Sequence, residues 1–274
     1  EFRRVLFRSG MKTHLRFVVV YPATKYAIRN TQYAPRPPLF PLHFIYFDVD
    51  NTLLDHTYAE REALADTQRA FPDLLDRLSI EALQTEYHRI NAPLWQQYAA
   101  GTIDKATVKH TRFKRLLEAL NVDSTPADHV NAYYLERYAA HWRFIPGARE
   151  VYEAIANRYS VGLLTNGFVD IQSEKMEQFP VLTEHADAVV ISETTGKLKP
   201  HPDVFSYAAA EARVSPQDIL YVGDSYTSDV EGGQNAGWRV AWYAPNGTDG
   251  RSTDDRGFVF QEWDALHDRL LGGS

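Results

Sequence analysis

The chain contains no cysteine. Disulfides, thiolate nucleophiles and thiolate metal sites are excluded together. The composition fits a reducing compartment, so a cytoplasmic location is expected. A basic excess is also missing: 29 Lys and Arg stand against 36 Asp and Glu, for a net charge of -7 and a pI near 5.8. That balance carries neither the electrostatic footprint of a nucleic-acid binder nor a polybasic membrane patch. Long apolar runs are lacking too. Leu15 to Tyr21 is far too short to span a bilayer, and Pro22 and Lys25 interrupt it. The ten histidines show no His-Glu-x-x-His spacing, so zinc chemistry has little support. An acidic balance does not exclude a phosphorylated substrate, because a bound cation and one or two lysines reverse the field locally.

What is present falls into two unlike parts. Residues 1–43 are rich in Arg, Pro and aromatic side chains, and the segment from Tyr33 to Pro41 suits neither a regular helix nor a central strand. Arg3, Arg4 and Arg8 precede an apolar stretch, but no clean small-residue cleavage site follows, which argues against a signal peptide. Glu1 to Gly10 also precede the first methionine, Met11. Residues 1–43 are therefore read as a leader, disordered or non-native, with no chemistry assigned.

From Phe44 onward the pattern alternates. Apolar runs at 44–48, 161–164, 188–191, 219–222 and 240–243 read as buried parallel strands. Helical stretches lie between them at 146–159, 202–212 and 228–236, and Pro202 suits a first helical turn. This predicts an α/β fold with a mostly parallel sheet covered on both faces. Residues 56–142 break the alternation. Phe113, Leu116, Leu117 and Leu120 share one helical face, and segments 58–71, 80–100, 104–120 and 126–141 read as four helices. The organisation expected is a core of 44–55 and 143–274, interrupted by an all-helical cap over the carboxyl ends of the strands. The polar segment 245–256 reads as a surface loop.

Four strand ends deliver polar residues. Asp48-Val-Asp50-Asn-Thr52 closes the first strand, and residues two apart on an extended chain point to one side. Two converging carboxylates repel and raise one another's pKa unless a hard cation such as Mg²⁺ relieves the conflict. Thr165-Asn166-Gly167 follows the second strand, where a hydroxyl and backbone N–H groups suit a phosphoryl oxygen. Asn-Gly is also an ordinary turn signal. Gly196-Lys-Leu-Lys199-Pro-His-Pro202 offers a lysine to neutralise phosphate, with Lys197 as the competing candidate. Gly223-Asp224-Ser225, followed by Asp229, adds a further carboxylate at a strand end.

As a set, Asp48-x-Asp50-x-Thr52, Thr165, Lys199 and Gly223-Asp224 with Asp229 resemble the four motifs of the haloacid dehalogenase superfamily. The resemblance runs from about Phe44 to the C-terminus and implies a Rossmann-like core with a helical cap inserted after the first motif. It implies that Asp48 is a nucleophile forming an aspartyl-phosphate, with Asp50 as acid and then base. It further implies Mg²⁺ held by Asp48, the Asp50 backbone carbonyl and Asp224, and phosphate bound by Thr165, Asn166 and Lys199. Asp229 would hold a metal-bound water or orient Lys199. Dehalogenases of the superfamily lack the second aspartate, so Asp50 implies phosphoryl rather than carbon chemistry.

The motif wording looks like the pyrimidine 5′-nucleotidase branch, and implies hydrolysis of a nucleoside 5′-monophosphate. That branch also resembles N-acylneuraminate-9-phosphatase and phosphoglycolate phosphatase. A phosphomutase keeps both aspartates and stays open. A catalytically silent binding protein is the remaining rival, against which the retention of all four motifs argues. Trp95, Tyr98, Arg112 and Phe113 are candidates to touch a base or sugar, or simply to pack helices. The expected partner is a small phosphorylated metabolite, with no nucleic acid polymer and no membrane, and the protein a monomer or homodimer.

Overall fold

Phe44–Phe47 forms strand β1, with all four side chains buried. The computed structural model describes residues 42–272, so the leader expected at 1–43 lies outside the described residues but for its last two. After β1 the chain enters helices α1 (His56–Ala70), α2 (Pro72–Leu75), α3 (Ile80–Ala99), α4 (Lys105–Ala119) and α5 (Ala127–Ala140). Their starts are set locally. The side chains of Asp55, Ser79 and Asp104 accept from the backbone N–H of Tyr58, Ala82 and Thr107, which satisfies donors a helix start leaves unpaired. The remaining elements are α6 (Ala148–Ala156), β2 (Ser160–Thr165), α7 (Val169–Gln178), α8 (Val181–Glu184), β3 (Ala186–Ile191), α9 (Pro202–Ala212), β4 (Ile219–Gly223), α10 (Gly232–Asn235), β5 (Arg239–Tyr243), β6 (Phe258–Phe260) and α11 (Trp263–Leu271).

All six strands are parallel, in the order β3-β2-β1-β4-β5-β6. β1 is central: Phe47 pairs with Leu163 on one side and Val222 on the other. The chain winds outward from β1 through β2 to β3, then crosses back to β4. The carboxyl ends of β1, β2 and β4 thus meet at the switch point where open α/β sheets form a crevice.

Alternation along β1 divides the core. Ile45 and Phe47 pack with Val151, Tyr152 and Ile155 of α6 and with Trp263 and Leu266 of α11. Phe44 and Tyr46 face Val204, Phe205 and Ala208 of α9 and Trp238. Burying each such side chain is worth about 1.5–3 kcal/mol. The inserted helices have a core of their own around Tyr87, Phe113, Leu116 and Tyr134, joined by Phe168 from the sheet domain. The insertion leaves and returns at adjacent points, where Leu54 bridges Phe144 and the Asp55 N–H donates to the Arg143 carbonyl at 2.9 Å.

The alternating α/β pattern and the helical insertion match the fold expected. Three details differ. β6 was not expected, because three residues after a polar loop carry too little pattern. The helices α7 and α11 and the single turns α2 and α8 were not expected, so the insertion has five helices where four were expected. The stretch 228–236, expected as one helix, is a π-helical turn at Tyr226–Glu231 followed by the short α10. The Ser225 carbonyl there accepts from both the Asp229 and Val230 N–H, at 2.8 and 3.2 Å, which widens the turn. Among the described residues, no helix is long and apolar enough to cross a membrane.

Candidate active site

β1 ends by donating from the Asp48 N–H to the Val222 carbonyl at 2.9 Å, which fixes Asp48 against the end of β4. The chain then turns at once. The N–H groups of Leu53 and Leu54 both donate to the Val49 carbonyl, and Asn51 takes a φ of 58°. Asn51 tolerates this region, and its Oδ1 accepts from the Thr57 N–H at 2.9 Å, tying the turn to the start of α1.

Lys199 is the hub. Its Nζ, 2% exposed at the side chain, donates to Asp48 Oδ1 at 2.9 Å and to Asp229 Oδ1 at 2.8 Å. It also reaches the Leu164 carbonyl at 3.2 Å and the Tyr221 hydroxyl at 2.5 Å. A clamp just beyond β2 holds its backbone: Asn166 Oδ1 accepts from the Lys199 N–H at 2.8 Å, and Asn166 Nδ2 donates to the Lys199 carbonyl at 3.1 Å. The Asn166 side chain is therefore occupied with placing Lys199. Thr165 is fully buried at the end of β2, its hydroxyl donating to the Asn166 carbonyl. Lys197, the competing lysine, is exposed.

Asp224 receives the Thr52 hydroxyl on Oδ1 at 3.1 Å. Asp229 Oδ2 accepts from the Ser225 N–H at 3.0 Å, and Gly223 lets that carboxylate approach, since a Cβ there would stand 2.5 Å from Asp229 Oδ2. Asp48, Asp224 and Asp229 each offer one carboxylate oxygen, all within 4.8 Å of one another.

So dense an acidic cluster shifts its own protonation. Burial is the main cause that lifts Asp48; Asp229 and Asp50 add to it and Lys199 opposes it, so the carboxyl is pushed up to about 7. Burial and the charges of Asp229 and Asp48 hold Asp224 well above the carboxylate range. Lys199 goes the other way. Burial alone would lower it, but Asp229 and Asp48 raise it above an ordinary lysine, so it stays charged.

Asp50 sits differently. Its Oδ2 accepts from Gln172 Nε2 at 2.8 Å and its Oδ1 from Lys175 Nζ at 2.5 Å. Burial raises this carboxyl, but the charges of Lys175 and His56 and the two hydrogen bonds outweigh it and leave the group below its ordinary value. Gln172, Lys175 and the Tyr221 hydroxyl were not found in the sequence. The first two lie three apart on α7, whose polar pattern reads in the sequence as a solvated helix face.

Of the four candidates in the insertion, Trp95 and Tyr98 of α3 lie against Phe168, Trp95 stacked at 4.6 Å and Tyr98 edge-on at 5.2 Å. Phe113 and Arg112 are interior to the bundle, with Arg112 Nε donating to Asn131 Oδ1 at 2.7 Å. Those two pack helices.

A family profile described as haloacid dehalogenase-like hydrolase matches residues 44–237. The pyrimidine 5′-nucleotidase YjjG of Escherichia coli is 33% identical over 200 residues, which is 73% of this chain and 84% of that protein. The pyrimidine 5′-nucleotidase PynA of Streptococcus pneumoniae is 30% identical over 211 residues, 74% of this chain and 84% of that one. Among solved structures, the HAD-hydrolase YfnB of Bacillus subtilis, bound to magnesium, aligns with a TM-score of 0.72 at 26% identity, covering 85% of this chain and 100% of that one.

Proposed function

The chain belongs to the haloacid dehalogenase-like hydrolase family, and on that premise we propose that it is a magnesium-dependent phosphatase of small phosphate monoesters, nucleoside 5′-monophosphates first among them, acting through an aspartyl-phosphate on Asp48. The observation that carries this reading is the arrangement around Asp48: a buried carboxylate held by Lys199, with Asp224 beside it and a second aspartate two residues on.

The donor set suits a hard cation. Asp48, Asp224 and Asp229 converge with only oxygen ligands, and burial with mutual repulsion pushes Asp48 and Asp224 upward. Asp48, Asp224 and the Asp50 main-chain carbonyl would hold Mg²⁺. Asp229 is already engaged by Lys199 and the Ser225 N–H, so its part is to fix Lys199. When bound, the ion neutralises charge on phosphoryl oxygens.

The chain's own residues supply the rest. Asp48 attacks phosphorus while its Lys199 contact fixes the carboxylate's orientation. Lys199, charged, together with the Thr165 hydroxyl and the Asn166 N–H, faces the phosphoryl oxygens. Asp50 gives a proton to the departing oxygen and later takes one from the attacking water. Its depressed ground-state pKa keeps it ionised, as the second role requires; the arriving phosphate dianion is a like charge that lifts it toward the first. Because one preorganised donor contributes only about 3–4 kcal/mol, all of these groups are needed. The nucleotide preference is supported by YjjG and PynA, both named pyrimidine 5′-nucleotidases.

The test is hydrolysis of p-nitrophenyl phosphate and of a panel of nucleoside monophosphates and sugar phosphates, with Mg²⁺ and with EDTA. Metal-dependent turnover with nucleoside monophosphates ranking highest in kcat/KM is expected. Absence of metal-dependent turnover overturns the enzyme reading, and a sugar phosphate ranking first overturns the substrate.

A further inference from the structure

Lys175 is a lysine with no place in the chemistry above, yet its side chain is only 1% exposed. A buried ammonium is tolerated only with a close anion. Its carboxylate partner is Asp50, through Oδ1 at 2.5 Å. Gln172, one helical turn earlier on α7, holds the other oxygen, Oδ2, at 2.8 Å and also donates to the Asn166 carbonyl at 3.1 Å. Room for Gln172 comes from Gly167, whose φ of 143° and missing Cβ leave the space the amide fills; a Cβ would stand 2.6 Å from Gln172 Nε2. The Lys175 ammonium also lies 5.3 Å from the Tyr138 ring and 5.5 Å from the Trp142 ring, at the end of the inserted bundle. The Tyr138 hydroxyl in turn meets His56 Nδ1 at 2.7 Å, at the first residue of α1.

We propose that Lys175 is a positioning residue that anchors Asp50 by Oδ1, so that Oδ2 is the oxygen that handles protons. The neutral amide of Gln172 is the weaker of the two contacts, and it gives way to the substrate. In the first step the Asp48–phosphorus bond forms and the ester P–O bond breaks, while the proton on Asp50 Oδ2 passes to the leaving alkoxide. In the second, water attacks phosphorus, the Asp48–phosphorus bond breaks, and Asp50 Oδ2 takes the water proton. The aromatic contacts tie this anchor to Tyr138 and Trp142, so the same lysine joins the proton-handling aspartate to the insertion that covers it. The assignment rests on the phosphatase reading, and a leaving-group comparison separates the two.

Wild-type protein is first assayed with Mg²⁺ on p-nitrophenyl phosphate, whose phenolate departs without a proton, and on a nucleoside 5′-monophosphate, whose alkoxide needs one. That measurement tests the phosphatase reading alone. Lys175→Met is then expected to lower kcat/KM for the nucleotide by at least about 100-fold, and for p-nitrophenyl phosphate by less than about 10-fold. Retained turnover of the activated ester reports that the variant is folded. Should the methionine variant not fold, Lys175→Gln, which keeps a donor, is measured for the same ratio. In an Asp50→Asn background the lysine substitution should leave the ratio unchanged. Equal losses on both esters, or an undiminished effect without the Asp50 carboxylate, overturn the proposal.

Discussion

Replacing Asp48 by asparagine is expected to abolish turnover and, without metal, to make the protein more stable. The Asp48 carboxyl has its pKa raised in the folded chain, from 3.8 to about 7. The folded state therefore keeps this proton over a range in which the unfolded chain has lost it. Stability from this group falls as pH rises from about 4, and the loss is complete once pH passes about 7. The distance from 3.8 to about 7, at about 1.36 kcal/mol per pH unit, amounts to about 4 kcal/mol. Asparagine carries no charge, and its carbonyl oxygen still accepts from Lys199 Nζ. In EDTA the variant should exceed wild type by about 4 kcal/mol at pH 8 and by about 1 kcal/mol at pH 4.5. For a domain of this size the larger figure is roughly 8–16 °C in Tm. Thermal or urea denaturation at the two pH values reads both. Mg²⁺ at about 1,000 times its Kd should close the gap, since it stabilises the wild type by about 4.1 kcal/mol. A variant no more stable than wild type at pH 8, or a gain that ignores pH, would show that burial and repulsion do not dominate at Asp48.

Two further outcomes follow from the same geometry. Because Asp48 and Asp224 are both held up by burial and like charge, Mg²⁺ affinity should fall as pH drops through 7, by up to about tenfold per unit for each proton displaced. Calorimetric titration in buffers of different ionisation heat counts those protons, and equal affinity at pH 6 and 8 contradicts the assignment. Gly223→Ala places a Cβ 2.5 Å from Asp229 Oδ2, and should cost about 1–3 kcal/mol of stability. It should also lower kcat through Lys199; an unchanged denaturation midpoint would contradict the packing.

The groups most legible in the sequence were those carried on strand ends, while Lys199, in the loop beyond β3, was legible by its proline-flanked setting. Asp48, Thr165 and Asp224 lie at or just beyond the ends of apolar strands, where a local pattern announces them. The alternation of strands and helices and the strand-free stretch between β1 and β2 were legible for the same reason: each is a change of period within a short window. What was not legible depends on distant contact. Gln172 and Lys175 lie 122 and 125 positions from Asp50, and a helical Gln-x-x-Lys looks like solvated surface until tertiary structure buries it. Asn166 shows the other limit. Its position was readable, but the two hydrogen bonds committing its side chain to Lys199 span 33 residues. The π-helical turn was missed because it is shaped by the Asp229 carboxylate reaching back to the Ser225 N–H, a detail no periodicity encodes.

The central place of β1 also bears on how the molecule comes into being. Its two neighbours, β2 and β4, begin at Ser160 and Ile219. On a ribosome moving at about 5–20 residues per second, the first strand waits roughly 9–35 s between its own synthesis and that of β4. Throughout that interval at least one edge of an apolar strand has no partner, and the pairings that seal it are of high sequence separation, which slows folding. The inserted helices, rich in local contacts, are complete long before. The nascent chain therefore carries a formed helical bundle beside an unfinished sheet, and the crevice comes into existence only when the last of its three strands arrives.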